Sequence, residues 1–170
     1  LFGTALGTKL ALLTYYALAM DGGYRLARHL GCQPQGALLA ACGYGLSGYL
    51  GMHLSAGHPN FAGVALYPYL LLSYDRAMQT PRWLIPLGLF AAWIAVLGGT
   101  FTPPLAGVLL VLWASLRAVS AVRATGRLAA AAWPFGALLL GGALALCFGA
   151  VRMLPALEFI YDRFSKSFRS

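Results

Sequence analysis

The feature that most constrains this chain is a series of apolar stretches, each about 20 residues long, that recurs along its whole length. An α-helix needs about 20 apolar residues to cross the hydrocarbon core of a bilayer. Turn-forming segments such as GCQPQG (31–36) and GHPN (57–60) separate the stretches. The pattern therefore predicts an all-α, polytopic membrane protein with about six transmembrane helices. The predicted spans cover 6–28, 35–55, 61–77, 83–99, 104–122 and 128–153.

The composition agrees with a membrane protein. Charged residues make up 9% of the 170 residues, against about 25% in soluble domains, and the mean hydropathy is +0.73. We expect a single transmembrane helical domain over 1–170. The chain begins at Leu1 without a signal peptide, so we expect a fragment of a longer chain. The three cysteines form no zinc or redox pattern, and neither a metal nor another cofactor is expected.

The distribution of arginines predicts the orientation of the spans. Seven arginines lie at or near three of the turns, whereas the turns 55–60 and 98–104 contain no Lys or Arg. The positive-inside rule places the arginine-bearing turns in the cytoplasm and both chain ends outside. Because the net charge of +8 is spread over several short turns, no nucleic-acid partner is expected. The seven are Arg25, Arg28, Arg76, Arg82, Arg117, Arg123 and Arg127.

Two aspartates lie near these arginines. Asp21 and Asp75 are expected to be charge-paired at the cytoplasmic rim, because an unpaired charge at the edge of the hydrocarbon is costly. Cationic residues also occur where few are predicted: Lys9 near the outer end of the first span, and Arg152 and Lys166 after the last span. An anionic lipid headgroup at the outer surface explains them. Tolerance by a topology that other spans dictate, or a miscounted span, explains them as well.

Small residues predict how the second span packs. The sequence GYGLSG (43–48) matches the dinucleotide-binding pattern G-x-G-x-x-G, but it lies inside a predicted membrane helix and follows no strand. Gly43, Ser47 and Gly51 recur every four residues, which predicts a tight hairpin between spans two and three. The third span is short and contains Pro68, so we expect it to be tilted, broken or partly re-entrant.

The turn MHLSAGHPNF (52–61) holds two of the three histidines. His53 is predicted just inside the membrane and His58 in the turn. Ionisable groups at this depth are candidates for function, because burying them is costly. Local hydrogen bonding at the wet interface is favoured for His53, and a functional role for His58. The predicted lipid-phosphate site comprises His58, Arg152, Lys9, Lys166, Glu158 and His53, beside an apolar groove lined by Phe61, Tyr67 and Tyr69.

A resemblance to a known family rests on several motifs in the stretch 21–78. A Tyr-x-x-Arg-like turn followed by LG, a small-residue helix with GLSGYL, a GH turn and the helix YPYLLL ending in Asp-Arg occur in that order. Near the other end, LPALEF precedes a Ser and an Arg. In these features the chain resembles bacterial YfhO-type membrane proteins, relatives of the GT-C glycosyltransferase superfamily.

The resemblance implies a GT-C-like bundle in the bacterial cytoplasmic (inner) membrane, with its active site facing outside. Such enzymes transfer a sugar from a polyprenyl-phosphate carrier to an extracytoplasmic acceptor, and a membrane lipid of that kind is the expected partner. Their catalytic acidic residue usually lies in the first external loop. The turns 55–60 and 98–104 contain no acidic residue, so no catalytic residue is assigned and activity stays open.

Two other functions remain open. The chain is alternatively a small structural or accessory subunit of a larger membrane protein complex. In such a subunit the histidines would be available to ligate a haem or chlorophyll, although ligand histidines usually lie mid-helix. A transporter fragment is the least favoured function, because no inverted repeat is evident and charges within the spans are scarce.

Overall fold

The computed structural model describes residues 3–97 and 101–167, and within these ranges the regular structure is helical, with no strand. The predicted all-α class is thus confirmed for this part of the chain. The α-helices in chain order are α1 (Thr4–His29), α2 (Pro34–Gly45), α3 (Gly48–Ser55), α4 (Tyr67–Gln79), α5 (Leu84–Leu97), α6 (Thr102–Thr125) and α7 (Ala132–Ser167). Short 3₁₀ helices lead into three of them, at Pro59–Leu66, Pro81–Trp83 and Leu128–Ala131.

Two segments are long and apolar enough to cross a membrane, Thr102–Thr125 and Leu128–Val151. A shorter apolar segment covers Pro81–Leu97. In the most apolar window of each long segment, only 22% of the residues are buried inside the protein. The other predicted spans also coincide with helices, but these are shorter or less apolar.

The second and third predicted spans are each divided. The second consists of α2 and α3, which are separated at Leu46 and Ser47. The third consists of the 3₁₀ helix Pro59–Leu66 followed by α4, so it is broken, which is one of the three forms that the sequence predicts. Pro68 lies in the first turn of α4, where the missing N–H of proline has no intrahelical partner to lose.

Helix α4 lies at the centre of the packing. It contacts α1, α5, α6 and α7, and its residues Leu70 and Tyr74 are fully buried. The buried tyrosines have polar partners: Tyr67 Oη donates to the carbonyl oxygen of Thr102 at 2.7 Å, and Tyr74 Oη donates to that of Pro134 at 2.9 Å. These bonds satisfy hydroxyls that are costly to bury alone, and they connect α4 to α6 and α7.

Small residues do allow close helix packing, but the predicted face is wrong. Gly43 is exposed, and nothing lies near it. The buried face of α2 consists of Ala37, Ala41 and Gly45, and it packs on α1, where a Cβ added at Gly45 would overlap Met20. Both faces have small residues at a spacing of four, so the spacing alone does not choose between them.

The predicted end of the sixth span at residue 153 is also wrong. Helix α7 continues through Pro155 to Ser167, a length of about 54 Å at 1.5 Å per residue. This exceeds the roughly 30 Å thickness of the hydrocarbon core, so the last turns of α7 extend beyond any membrane that its first part crosses.

Candidate functional site

Two of the six predicted site residues lie together. Helix α3 ends at Ser55, and the chain then turns through Gly57, whose φ of +76° favours glycine. This turn returns His58 towards α3, where its backbone N–H donates to the carbonyl oxygen of His53 at 3.0 Å. The two imidazole rings are 6.0 Å apart between centroids. We call this end of the bundle the histidine end.

Aromatic rings surround the histidine pair. The imidazole of His53 stacks on Phe61, with 3.8 Å between ring centroids and an interplanar angle of 13°. Tyr49 meets His53 edge-on at 4.6 Å. Phe61 stacks in turn with Phe101, at 6.2 Å, and Phe101 is 70% exposed. These five rings form the histidine–aromatic cluster. Ring stacking thus orients His53, for which the sequence favoured local hydrogen bonding.

The other four predicted site residues are not placed at this cluster by any described contact. Lys9 is exposed on α1, and Glu158 is exposed on α7. The side chains of Arg152 and Lys166 lie outside the described residues. Glu158 is about 39 Å along α7 from Ala132, at 1.5 Å per residue. The pairing of Arg152 with Glu158 stays a prediction.

The predicted charge pairing of the two aspartates is confirmed. Arg25 Nε donates to Asp21 Oδ2 at 2.6 Å, one turn along α1, and Tyr69 donates to the same oxygen. Arg117 of α6 donates to both carboxylate oxygens of Asp75 of α4, with Nε 2.8 Å from Oδ1. The helix ends that carry these pairs form the arginine end of the bundle.

Asp75 is the most buried charged group among the described residues, with a side chain only 2% exposed. Its Oδ1 also accepts a hydrogen bond of 2.8 Å from Trp113 Nε1, and its Oδ2 lies 3.6 Å from His29 Nε2. The carboxylate thereby joins the ends of α1, α4 and α6. A buried carboxylate needs this set of donors, since an unsatisfied buried charge is strongly destabilising.

The sequence did not identify Trp113 and His29 as partners of Asp75. One signal was present: Trp113 and Arg117 are four residues apart, so they lie on the same face of α6. Nothing in the sequence indicates that this face turns towards α4. His29, the third histidine, has no pattern that distinguishes it from any other residue at a helix end.

The most spacious apolar groove among those described lies between α1, α2, α4 and α6, with a volume of about 510 Å³. Tyr67 lines it, as predicted, together with Gly23, Leu26, Leu30 and others. It follows α1 towards the arginine end, so the expected groove beside His58 is wrong in position. Phe61 and Tyr69 are not among its described lining residues.

Within the described ranges, no group of three or more His, Cys, Asp or Glu residues is placed to hold a metal ion. No protein family, curated protein or solved structure matches the chain. The resemblance to YfhO-type proteins therefore depends on the sequence motifs alone.

Proposed function

We propose that this is an integral membrane protein with about six spans, a GT-C-like bundle of the bacterial inner membrane. The exposed apolar surface of α6 and α7 supports a lipid environment, because the core helix of a soluble protein would be mostly buried. Contacts among His29, Asp75 and Arg117 bring the ends of α1, α4 and α6 to one side. That is the arrangement that the alternation of arginine-bearing turns requires.

We further propose that the histidine end recognises a polyprenyl-phosphate-linked sugar at the extracytoplasmic face. The histidine–aromatic cluster is the observation that carries this proposal. His58 is exposed and supplies N–H donors for a phosphate oxygen. Phe101 presents a flat apolar ring, which suits the C–H face of a sugar or an isoprenoid unit.

The transfer chemistry has no assigned residue. Three carboxylates have described side chains, and two of them, Asp21 and Asp75, are paired at the arginine end. Glu158 is exposed on α7 and has no described contact with the cluster. The proposal is therefore recognition of the lipid-linked sugar, as in a GT-C-like protein, and the accessory subunit is the alternative that the experiment must separate from it.

The test is a binding titration on the purified chain in neutral detergent. The ligands are a polyprenyl-phosphate sugar, polyprenyl phosphate and the uncharged polyprenol. We expect His58→Ala to weaken binding of both phosphate lipids about tenfold, the effect of losing a hydrogen bond to a charged group. Phe101→Ala should weaken the sugar-bearing lipid about fivefold and plain polyprenyl phosphate less.

The control variant is Arg127→Gln, an exposed cation in the turn before α7, whose affinities should match those of the unaltered chain. If polyprenol binds as tightly as polyprenyl phosphate, or if His58→Ala has no effect, the proposal is wrong. The accessory-subunit function would then be favoured.

A further inference from the structure

A second polar cavity lies at the arginine end, opposite the histidine–aromatic cluster. It is an open cleft of about 380 Å³, lined by residues of α1 and α4. The described lining residues are Tyr24, Arg25, Arg28, His29 and Arg76, which comprise three guanidinium groups, an imidazole and a phenol, with no carboxylate. Its volume falls within the range of about 300–1,000 Å³ that small-ligand sites occupy.

The nearby carboxylates do not neutralise this cleft. Asp21 pairs with Arg25, and Asp75 is saturated by Arg117 and Trp113 on its other side. Arg28 donates instead to a neutral acceptor, the carbonyl oxygen of Cys32, at 3.0 Å. Arg76 lies over the ring of Trp83, with Cζ 4.5 Å from its centroid.

Two full positive charges therefore face the cleft without a described carboxylate within 4.0 Å. The contacts that they do make fix their positions. The ring of Trp83 restrains the guanidinium of Arg76, and the carbonyl of Cys32 restrains that of Arg28. Guanidinium groups held in this way are well suited to phosphate, whose oxygens match their paired N–H donors.

We infer that this cleft binds a phosphate group, and that the phosphate belongs to the headgroup of an anionic membrane lipid. Cationic pockets at the cytoplasmic side of membrane helices bind such headgroups. Leu30, which follows α1, is exposed beside the apolar groove and suits contact with acyl chains. Tyr24 has the amphipathic character of residues at the membrane–water boundary.

The height of the cleft also favours a lipid. It lies at the end of the bundle where all seven inner arginines are expected, and where an inner-leaflet headgroup would lie. The inference uses the membrane placement proposed above, but not the sugar-lipid site. Because that site lies at the histidine end, failure of one proposal leaves the other intact.

The experiment measures binding to the full chain in neutral-detergent micelles. The probes are short-chain phosphatidylglycerol, which carries a net negative phosphodiester, short-chain phosphatidylcholine, which has no net charge, and sodium phosphate. Thermal stabilisation at increasing probe concentration gives the apparent affinity. We expect phosphatidylglycerol to bind at least about tenfold more tightly than phosphatidylcholine.

Arg28→Gln and Arg76→Gln are expected to weaken phosphatidylglycerol binding about tenfold each, as for loss of a charge-assisted bond. The matched control is Arg123→Gln, which removes an exposed cation of α6 outside the lining, and whose effect should stay below about twofold. Arg28→Lys keeps the charge and should retain most of the binding, which shows that the Gln variants fail through lost charge and not through misfolding.

Equal losses in Arg28→Gln and Arg123→Gln would overturn the inference, because they would show a diffuse charge effect. Equal affinity for the two lipids would overturn it too. If sodium phosphate binds as tightly as phosphatidylglycerol, with the same dependence on Arg28 and Arg76, the source of the phosphate is a soluble anion and the assignment to a lipid is wrong.

Discussion

Breaking the buried pair between Asp75 and Arg117 should reveal an unequal and non-additive loss of stability. Removing one partner of a buried ion pair costs about 3–5 kcal/mol, because the other charge is left buried without compensation. The two partners differ in exposure: the Asp75 side chain is 2% exposed and that of Arg117 is 39% exposed. Water therefore stabilises a lone Arg117 much better than a lone Asp75.

The expected magnitudes follow from this difference. Asp75→Asn leaves a partly solvated guanidinium and keeps one oxygen for Trp113 or Arg117, so we expect a loss of about 2–3 kcal/mol. Arg117→Gln leaves the carboxylate with Trp113 and the nearby His29, and we expect about 3–4 kcal/mol. The double variant has no orphaned charge, so its loss should fall short of the sum by about 2 kcal/mol.

The assay is unfolding of each purified variant in mixed micelles by a denaturing detergent, followed by tryptophan fluorescence. A matched control exists in Asp21 and Arg25, whose side chains are 44% and 61% exposed. The same cycle there, with Asp21→Asn and Arg25→Gln, should give a coupling of only about 0.3–0.5 kcal/mol. If the Asp75–Arg117 coupling is equally small, or Asp75→Asn costs more than Arg117→Gln, the reasoning from burial is refuted.

Two further predictions concern packing and topology. Gly88→Ala should cost about 1–3 kcal/mol, because the new Cβ would overlap Leu144 of α7, whereas Gly142→Ala, with open space around it, should cost nothing; equal stabilities would contradict the packing. In a chain lacking its natural cysteines, Ala56→Cys should react with an impermeant thiol reagent in intact cells, and Arg127→Cys only after lysis, whereas the reverse result would invert the proposed orientation.

The helical segments were largely predictable from the sequence. Predicted spans 6–28 and 104–122 agree within about three residues with Thr4–His29 and Thr102–Thr125. Hydropathy and turn propensity act over a few neighbouring residues, so they can be read along the chain. The pairing of Asp21 with Arg25 was predictable for the same reason, since it joins adjacent turns of one helix.

The end of α7 was not predictable by these rules. Pro155 and the polar residues after it favour a helix end, yet the helix continues to Ser167. In the candidate site, the proximity of His53 and His58 follows from the short turn between them. The positions of Phe101 and Glu158 relative to that turn depend on other helices, and a local pattern does not contain them.

The sequence by itself determined which segments are helices, which small residues were available for close packing, and where charges collect along the chain. Only the tertiary structure decided that Ala37, Ala41 and Gly45 face α1 while Gly43 is exposed. It alone brought His29 and Trp113 to Asp75 and placed the apolar groove towards the arginine end. The physical reason is that periodicity gives the spacing of residues on a helix face, whereas the rotation of each helix about its axis is set by the neighbours against which it packs.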